Sequence, residues 1–342
     1  MSIQMLNDRY QVIRTLGAGG FGETYLAEDT YMPSKRRCVV KQLRPIHHNS
    51  QIYQLVQERF QREAAILEEL GGKTDQIPSL YAYFSADGQF YLVQEWIEGD
   101  TLTAKLQQQG GLSENAVYEI LLNVLPVLDY VHSQKIVHRD IKPDNIMVRH
   151  RDGKPVLIDF GAVRESMGTV VNSQGHPTSS IVIGTPGYMP SEQAAGRPVY
   201  SSDLYSLGLT AIYLLTGMQP QQLETDSQTG ELIWRNYLGN INPILVSVID
   251  RAIAYHPRDR FPTAKAMLEA LQSVPNTIPP TQAATKPFAD IPVTQPVATT
   301  PTPHTIPVTT QPSTSRNNQN AILIGSLIAG GLIGGSVIIS QV

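Results

Sequence analysis

Between the apolar pairs and triplets that flank it, the stretch HRDIKPDN (138–145) holds Asp140, Lys142, Asp144 and Asn145. Charged groups enter apolar surroundings chiefly when they are paired, ligated or working. Asp140 is a candidate base for a substrate hydroxyl, and Asn145 follows where one turn brings both carbonyl-type oxygens to a single point. Asp159, in VLIDFG, ends an apolar strand and precedes a glycine. A carboxylate and an amide oxygen are hard ligands suited to Mg²⁺, which keeps part of its water shell, with Mn²⁺ as the substitute. Lys142 is placed to neutralise a phosphoryl group in transfer.

Two further groups extend this chemistry. GAGGFG sets Gly17, Gly19 and Gly22 at the spacing G-x-G-x-x-G, where bare backbone N–H groups can approach phosphate oxygens. Dinucleotide-binding folds share that spacing, but there a strand and a helix flank the turn, and here two strands do. Lys41 ends the apolar strand CVVK, and a lysine in that setting more often points to solvent. Glu63 on the following helix is a partner that would hold its ammonium for phosphate. Glu58, Glu68 and Glu69 compete for that role, but Glu63 shares a helical face with Phe60 and Leu67 and is expected to point inward.

The elements that must position these groups follow from periodicity. RYQVIRTL and TYLAED read as a hairpin around the glycine turn, and RRCVVKQL as a third strand. QLVQERFQREAAILEEL carries Leu55, Phe60, Ala64, Leu67 and Leu70 near one helical face, and SLYAYF and FYLVQEWI return to strand. Helices prevail from residue 101, including SENAVYEILLNVLPVLDYVHSQ with Ser113 as its cap. A small strand-rich half precedes a larger helical half, with a cleft between them.

Composition narrows the classes of function. Charged residues make up 16% and the formal net charge is -4, without a basic stripe or arm, which argues against nucleic acid as partner. The single cysteine, Cys38, lies in an apolar run and reads as a small core residue, consistent with a reducing compartment. The N-terminus carries neither a basic start nor an apolar core, so no secretory signal is expected. Residues 275–320 are dominated by proline and threonine, with Lys286, Asp290 and Arg316 as their charges, and predict a disordered, extended linker. Residues 321–339 are uncharged, and a helix of that length spans about 28 Å, enough for one hydrocarbon core.

Taken together, GAGGFG, VVK around Lys41, Glu63, HRDIKPDN, DFG and GTPGYMPSE resemble a bacterial, eukaryotic-like serine/threonine protein kinase, over residues 10–273. Asp203 in SSDLYSLG and Arg260 in HPRDRF extend the match, and Lys142 and Thr185 resemble the serine/threonine class rather than tyrosine kinases. The resemblance implies an α+β, bilobal protein kinase fold over 1–274, with a β-rich lobe at 1–95 and a helical lobe at 96–274. It implies that Leu16, Gly17, Gly19, Gly20, Gly22 and Thr24 cover ATP, and that Lys41, paired with Glu63, holds its phosphates. Val39 and Met147 would sandwich the adenine, and Glu95 and Ile97 would offer backbone hydrogen bonds. Asp140 would orient the hydroxyl, Lys142 would assist, and Asn145 and Asp159 would hold magnesium. Asp203 would brace the catalytic loop, and Glu192 would pair with Arg260.

This sequence departs from the family pattern at Thr24 and Val39, in PSE at 190–192, and at Gln94, which stands beside the adenine pocket. None removes a phosphate or metal ligand, so an active enzyme is expected rather than a nucleotide-binding scaffold without catalysis. The expected partners are ATP, protein substrates bearing serine or threonine, the lipid bilayer and a second copy of the chain. The kinase domain is expected in the cytoplasm, tethered by a single pass near the C-terminus. Arg139 before Asp140 implies control by phosphorylation within 162–185, at Thr178, Ser179 or Ser180 above Ser166, Thr169 and Ser173.

Overall fold

Side chains alternate across the strands of the first lobe, and that alternation builds two different faces. The computed structural model describes residues 4–19, 22–43, 50–160, 169–171, 177–180 and 187–273. Strands β1 (Met5–Leu6), β2 (Tyr10–Gly19), β3 (Gly22–Asp29) and β4 (Arg37–Leu43) precede helix α1 (Ser50–Leu70). Strands β5 (Leu80–Ala86) and β6 (Gln89–Glu95) complete an antiparallel sheet in the order β1-β2-β3-β4-β6-β5. The outer face packs Tyr10, Tyr25, Ala27, Cys38, Val40, Tyr91 and Val93 into a cluster of its own. The inner face belongs to their alternates, Thr24, Val39, Lys41, Leu92 and Gln94.

Cys38 is a core residue, as its apolar run predicts. Its thiol is fully buried, reaches the Ala27 carbonyl at 3.6 Å, and is pushed up to about 12 by that burial. At Gly22 a side chain would run into the Gln42 backbone carbonyl, so the glycine turn is closed by sterics as well as by conformational freedom.

Helix α1 buries Phe60, Ala64, Leu67 and Leu70, each large side chain worth about 1.5–3 kcal/mol relative to exposure. Leu55, expected on the same face, has a side chain outside the described residues. From β6 the chain crosses into β7 (Gly99–Thr101), which pairs with β8 (Ile146–Arg149) and through it with β9 (Pro155–Leu157). Around this small sheet stand α2 (Leu102–Gln109), α3 (Glu114–Ser133), α4 (Ser191–Ala194), α5 (Tyr200–Thr216), α6 (Pro243–Ala252) and α7 (Ala264–Gln272). Ser113 caps α3 by accepting from the Ala116 N–H at 3.3 Å. Pro126 lies inside α3 and is tolerated there, between buried Leu125 and Val127. Helix α5 is buried on nearly every side and ends at Gly217, whose φ of +72° suits glycine.

Among the described residues no helix is long and apolar enough to cross a membrane. The linker at 275–320 and the apolar segment at 321–339 lie outside the described residues, as do Gly20 and the side chains of 161–186.

Candidate active site

The hairpin of β8 and β9 sets the spacing of the two expected metal ligands. Ile146 pairs with Leu157, and the Ile158 N–H donates to the Asn145 carbonyl at 3.0 Å. Asn145 and Asp159 therefore flank one end of the same hairpin, which explains how two distant stretches of sequence reach one point. Both are buried, and Asp159 adopts a φ of +61°, a conformation that short polar residues tolerate.

Asn145 differs in one respect from the sequence expectation. Its side-chain nitrogen donates to the Asp140 carboxylate at 2.7 Å and to the Asp140 backbone carbonyl at 2.9 Å. With the nitrogen so committed, its oxygen is the atom free to act as a ligand. Lys142 stands 3.0 Å from the same Asp140 carboxylate. Burial pushes the Asp140 carboxyl above its ordinary range, opposed by Lys142 and Asn145.

Across the cleft, Lys41 on β4 pairs with Glu63 of α1 at 2.5 Å, and its nitrogen also meets the Asp159 carboxylate. The competing glutamates Glu58, Glu68 and Glu69 are exposed, whereas Glu63 is buried. Burial disfavours the Lys41 ammonium, but Asp159 and Glu63 hold its pKa above the ordinary lysine value. Burial pushes the Glu63 carboxyl upward, against the pull of the Lys41 ammonium, and the Asp159 carboxylate on the same ammonium adds to the rise. In the whole cluster three buried carboxylates, Glu63, Asp140 and Asp159, face the ammoniums of Lys41 and Lys142. That excess of negative charge, with the Asn145 oxygen, fits a divalent cation. Among the described residues no group of three or more His, Cys, Asp or Glu gathers into a metal-holding cluster.

The remaining expected residues line the approach. Leu16 and Gly17 lie in β2 shortly before its last residue, Gly19. Thr24 and Val39 sit on the inner sheet face, and Met147 comes from β8 in the other lobe. The Glu95 N–H donates to the Ser79 carbonyl at 2.9 Å, which leaves the Glu95 carbonyl as its group for a ligand. Ile97 is buried just beyond it.

Behind Asp140 a second buried network holds the loop. Asp203 on α5 accepts from the backbone N–H of His138 at 2.9 Å and of Arg139 at 2.8 Å, and lies 2.8 Å from His132. Burial alone would raise the Asp203 carboxyl, but His132 and these donors bring it below its ordinary value. Arg139 takes a φ of +68°, costing on the order of 1–3 kcal/mol, and Asp203 is the group that holds it there. Gln193 adds a hydrogen bond to the Arg139 carbonyl at 2.6 Å. The His138 ring packs on Phe160 with centroids 4.5 Å apart, and burial lowers the His138 pKa.

Glu192 and Arg260 form the expected pair, two-pronged at 2.6 and 3.2 Å, and Ser202 donates a further hydrogen bond to Glu192 at 2.7 Å. Sequence reading did not single out His132, Gln193 or Ser202. A lone histidine at a helix end and a serine in SSD carry no signal without knowledge of what lies beside them.

Residues 10–274 match the family described as protein kinase domain. The serine/threonine-protein kinase PknA of Nostoc sp. is 70% identical over 98% of this chain and 62% of its own length. Serine/threonine-protein kinase C of Synechocystis sp. is 58% identical over 82% of this chain and 52% of its own. The chain thus spans between about half and two thirds of the length of these relatives. Among solved structures, the kinase domain of Mycobacterium tuberculosis PknI aligns with a TM-score of 0.58 at 25% identity, covering 80% of this chain and 98% of that one. Fold, buried ion cluster and kinship agree, and the chain belongs to the protein kinase domain family, among its bacterial serine/threonine members.

Proposed function

We propose that this chain transfers the γ-phosphoryl group of ATP to serine and threonine hydroxyls of proteins, with magnesium as the metal. The observation that carries this reading is the Lys41 ammonium shared by Glu63 and Asp159 across the cleft from Asp140. Phosphoryl transfer asks mainly for positioning and charge neutralisation. Lys41, held by Glu63, grips the nucleotide phosphates. Asp140 accepts the hydrogen bond of the substrate hydroxyl and takes its proton as the new O–P bond forms and the bond to ADP breaks. Burial raises the basicity of Asp140, which favours that transfer. Lys142 faces the oxygens in transfer. Asn145 and Asp159 would hold magnesium, which would supply further neutralisation of phosphate charge.

The full chain, incubated with labelled ATP, magnesium and a generic protein substrate, is expected to label serine and threonine, and the Asp140→Asn variant is not. Equal labelling by both overturns the assignment of Asp140, and binding of ATP without labelling by the unaltered chain points to a nucleotide-binding scaffold.

The composition of the C-terminal region supports a second part of the reading. Residues 275–320 act as a disordered linker, and 321–339 cross the membrane once, with the kinase domain on the cytoplasmic, ATP-containing side. Gly330/Gly334 and Gly331/Gly335 have the small-xxx-small spacing that lets helices approach in lipid, so two kinase domains come within reach for phosphorylation in trans. Release of the full chain from membranes by a carbonate wash overturns the spanning helix. Paired Gly330→Leu and Gly334→Leu changes are expected to lower autophosphorylation in membranes. Mass spectrometry of the active enzyme is expected to find phosphate between residues 162 and 185, first at Thr178, Ser179 or Ser180.

A further inference from the structure

The turn that follows α5 reaches back toward Asp140. Tyr188 and Met189 line a small cavity together with Arg139, Asp140, Ile141 and Ser206, so they stand beside the residue that receives the substrate hydroxyl. Four contacts fix this stretch. Ser206 donates to the Tyr188 carbonyl at 2.8 Å, and Gln193 donates to the Arg139 carbonyl at 2.6 Å. The Tyr188 hydroxyl donates to Gln219 Oε1 at 3.1 Å, and burial keeps that hydroxyl protonated. Gln221 lays its carboxamide against Gly187, whose φ of +97° suits glycine and where a side chain would run into that amide. Gln219 is itself preset. Its backbone N–H donates to Gln222 Oε1 at 2.8 Å, and Pro220 and Leu223 are buried beside it. An acceptor anchored in this way orients the tyrosine rather than following it.

We infer that Gln219 is a positioning residue for the protein substrate: through the Tyr188 hydroxyl it fixes the wall beside Asp140 on which the residues flanking the substrate serine or threonine rest. The inference rests on the kinase reading and deepens it. In that reading the nucleotide is gripped from Lys41 and the glycine turn, so a fault at Tyr188 falls on the protein substrate and spares ATP. Near the reacting centre a displacement of about 1 Å is enough to cost rate.

The test compares the full chain with its Gln219→Met variant. It measures kcat/KM for a pool of peptides with a central serine or threonine, and ATP affinity by displacement of a fluorescent nucleotide. Peptide kcat/KM is expected to fall roughly three- to tenfold, the worth of one neutral hydrogen bond, with ATP affinity unchanged. Tyr188→Phe deletes only the hydroxyl and is expected to match, so the outcome does not depend on one variant folding. The double variant is expected to be no worse than either single one, because both remove the same bond. Gln219→Glu keeps an acceptor oxygen and is expected to stay near the unaltered value. An unchanged peptide kcat/KM in Gln219→Met, or a loss shared equally by peptide and ATP, overturns the positioning role and leaves the kinase reading intact. A double variant whose losses multiply does the same. Failure of the unaltered chain to label any of the peptides overturns the kinase reading itself.

Discussion

Lys41 Nζ lies 2.5 Å from Glu63 Oε1, and the same nitrogen meets Asp159, which is 118 positions away in sequence. One buried ammonium therefore joins β4, α1 and the segment after β9. Its loss removes a phosphate-gripping charge and strands two buried carboxylates together. Lys41→Met is expected to lower turnover by about 10²–10³ and stability by about 3–5 kcal/mol. Steady-state kinetics and denaturant unfolding measure the two effects, and near-normal turnover removes the lysine from the mechanism.

Glu63→Gln keeps an acceptor in place but removes the charge that competes with Asp159 for Lys41. Turnover is expected to fall at least tenfold through looser positioning of the ammonium, while the fold is retained. A variant that loses no activity would show that Asp159 holds Lys41 without help.

Asp140→Asn is expected to abolish measurable transfer and yet raise the melting midpoint at neutral pH. Burial raises the Asp140 pKa above 3.8, so the folded state prefers the neutral form more than the unfolded chain does. Stability from this group is fully present below the unfolded value and is lost as pH rises through the raised folded value. The uncharged amide escapes that loss. Thermal unfolding from neutral to acid pH should show the advantage of the variant closing as pH falls below 3.8.

Asp203→Asn is expected to move stability the other way, by about 3–5 kcal/mol downward, since it breaks a buried pair with His132. Here the folded carboxyl lies below 3.8, so its contribution is present above that value and is lost as pH falls through the folded one. Turnover should fall with it, because the His138 and Arg139 N–H groups lose their charged acceptor. Similar melting shifts in both aspartate variants would contradict this division of roles.

Arg260→Met removes a guanidinium with donors to Glu192, Ala254, Ser201 and Tyr255. The expected result is a loss of about 3–5 kcal/mol, because Glu192 is left without its partner. Urea unfolding checks it, and an unchanged midpoint would mean that Ser202 alone satisfies Glu192.

The sequence by itself determined the identities and chain order of Lys41, Asp140, Asn145 and Asp159, and the strand and helix carrying Lys41 and Glu63. Those features rest on residue type and local periodicity, which short stretches carry in full. Even the choice of Glu63 over Glu58, Glu68 and Glu69 was legible, because helical phase alone turns it inward. Only the tertiary structure decided that Lys41 is shared with Asp159, that the Asn145 nitrogen is spent on Asp140, and that His132 and Ser202 belong to buried networks. It also decided that buried polar atoms of Gln94 and Thr24, on the inner sheet face, lack a hydrogen-bond partner among the described residues. The physical reason is common to all of these. Which of several possible partners a polar group takes depends on distance and on the exclusion of water, and both arise only when segments far apart in the chain are packed together.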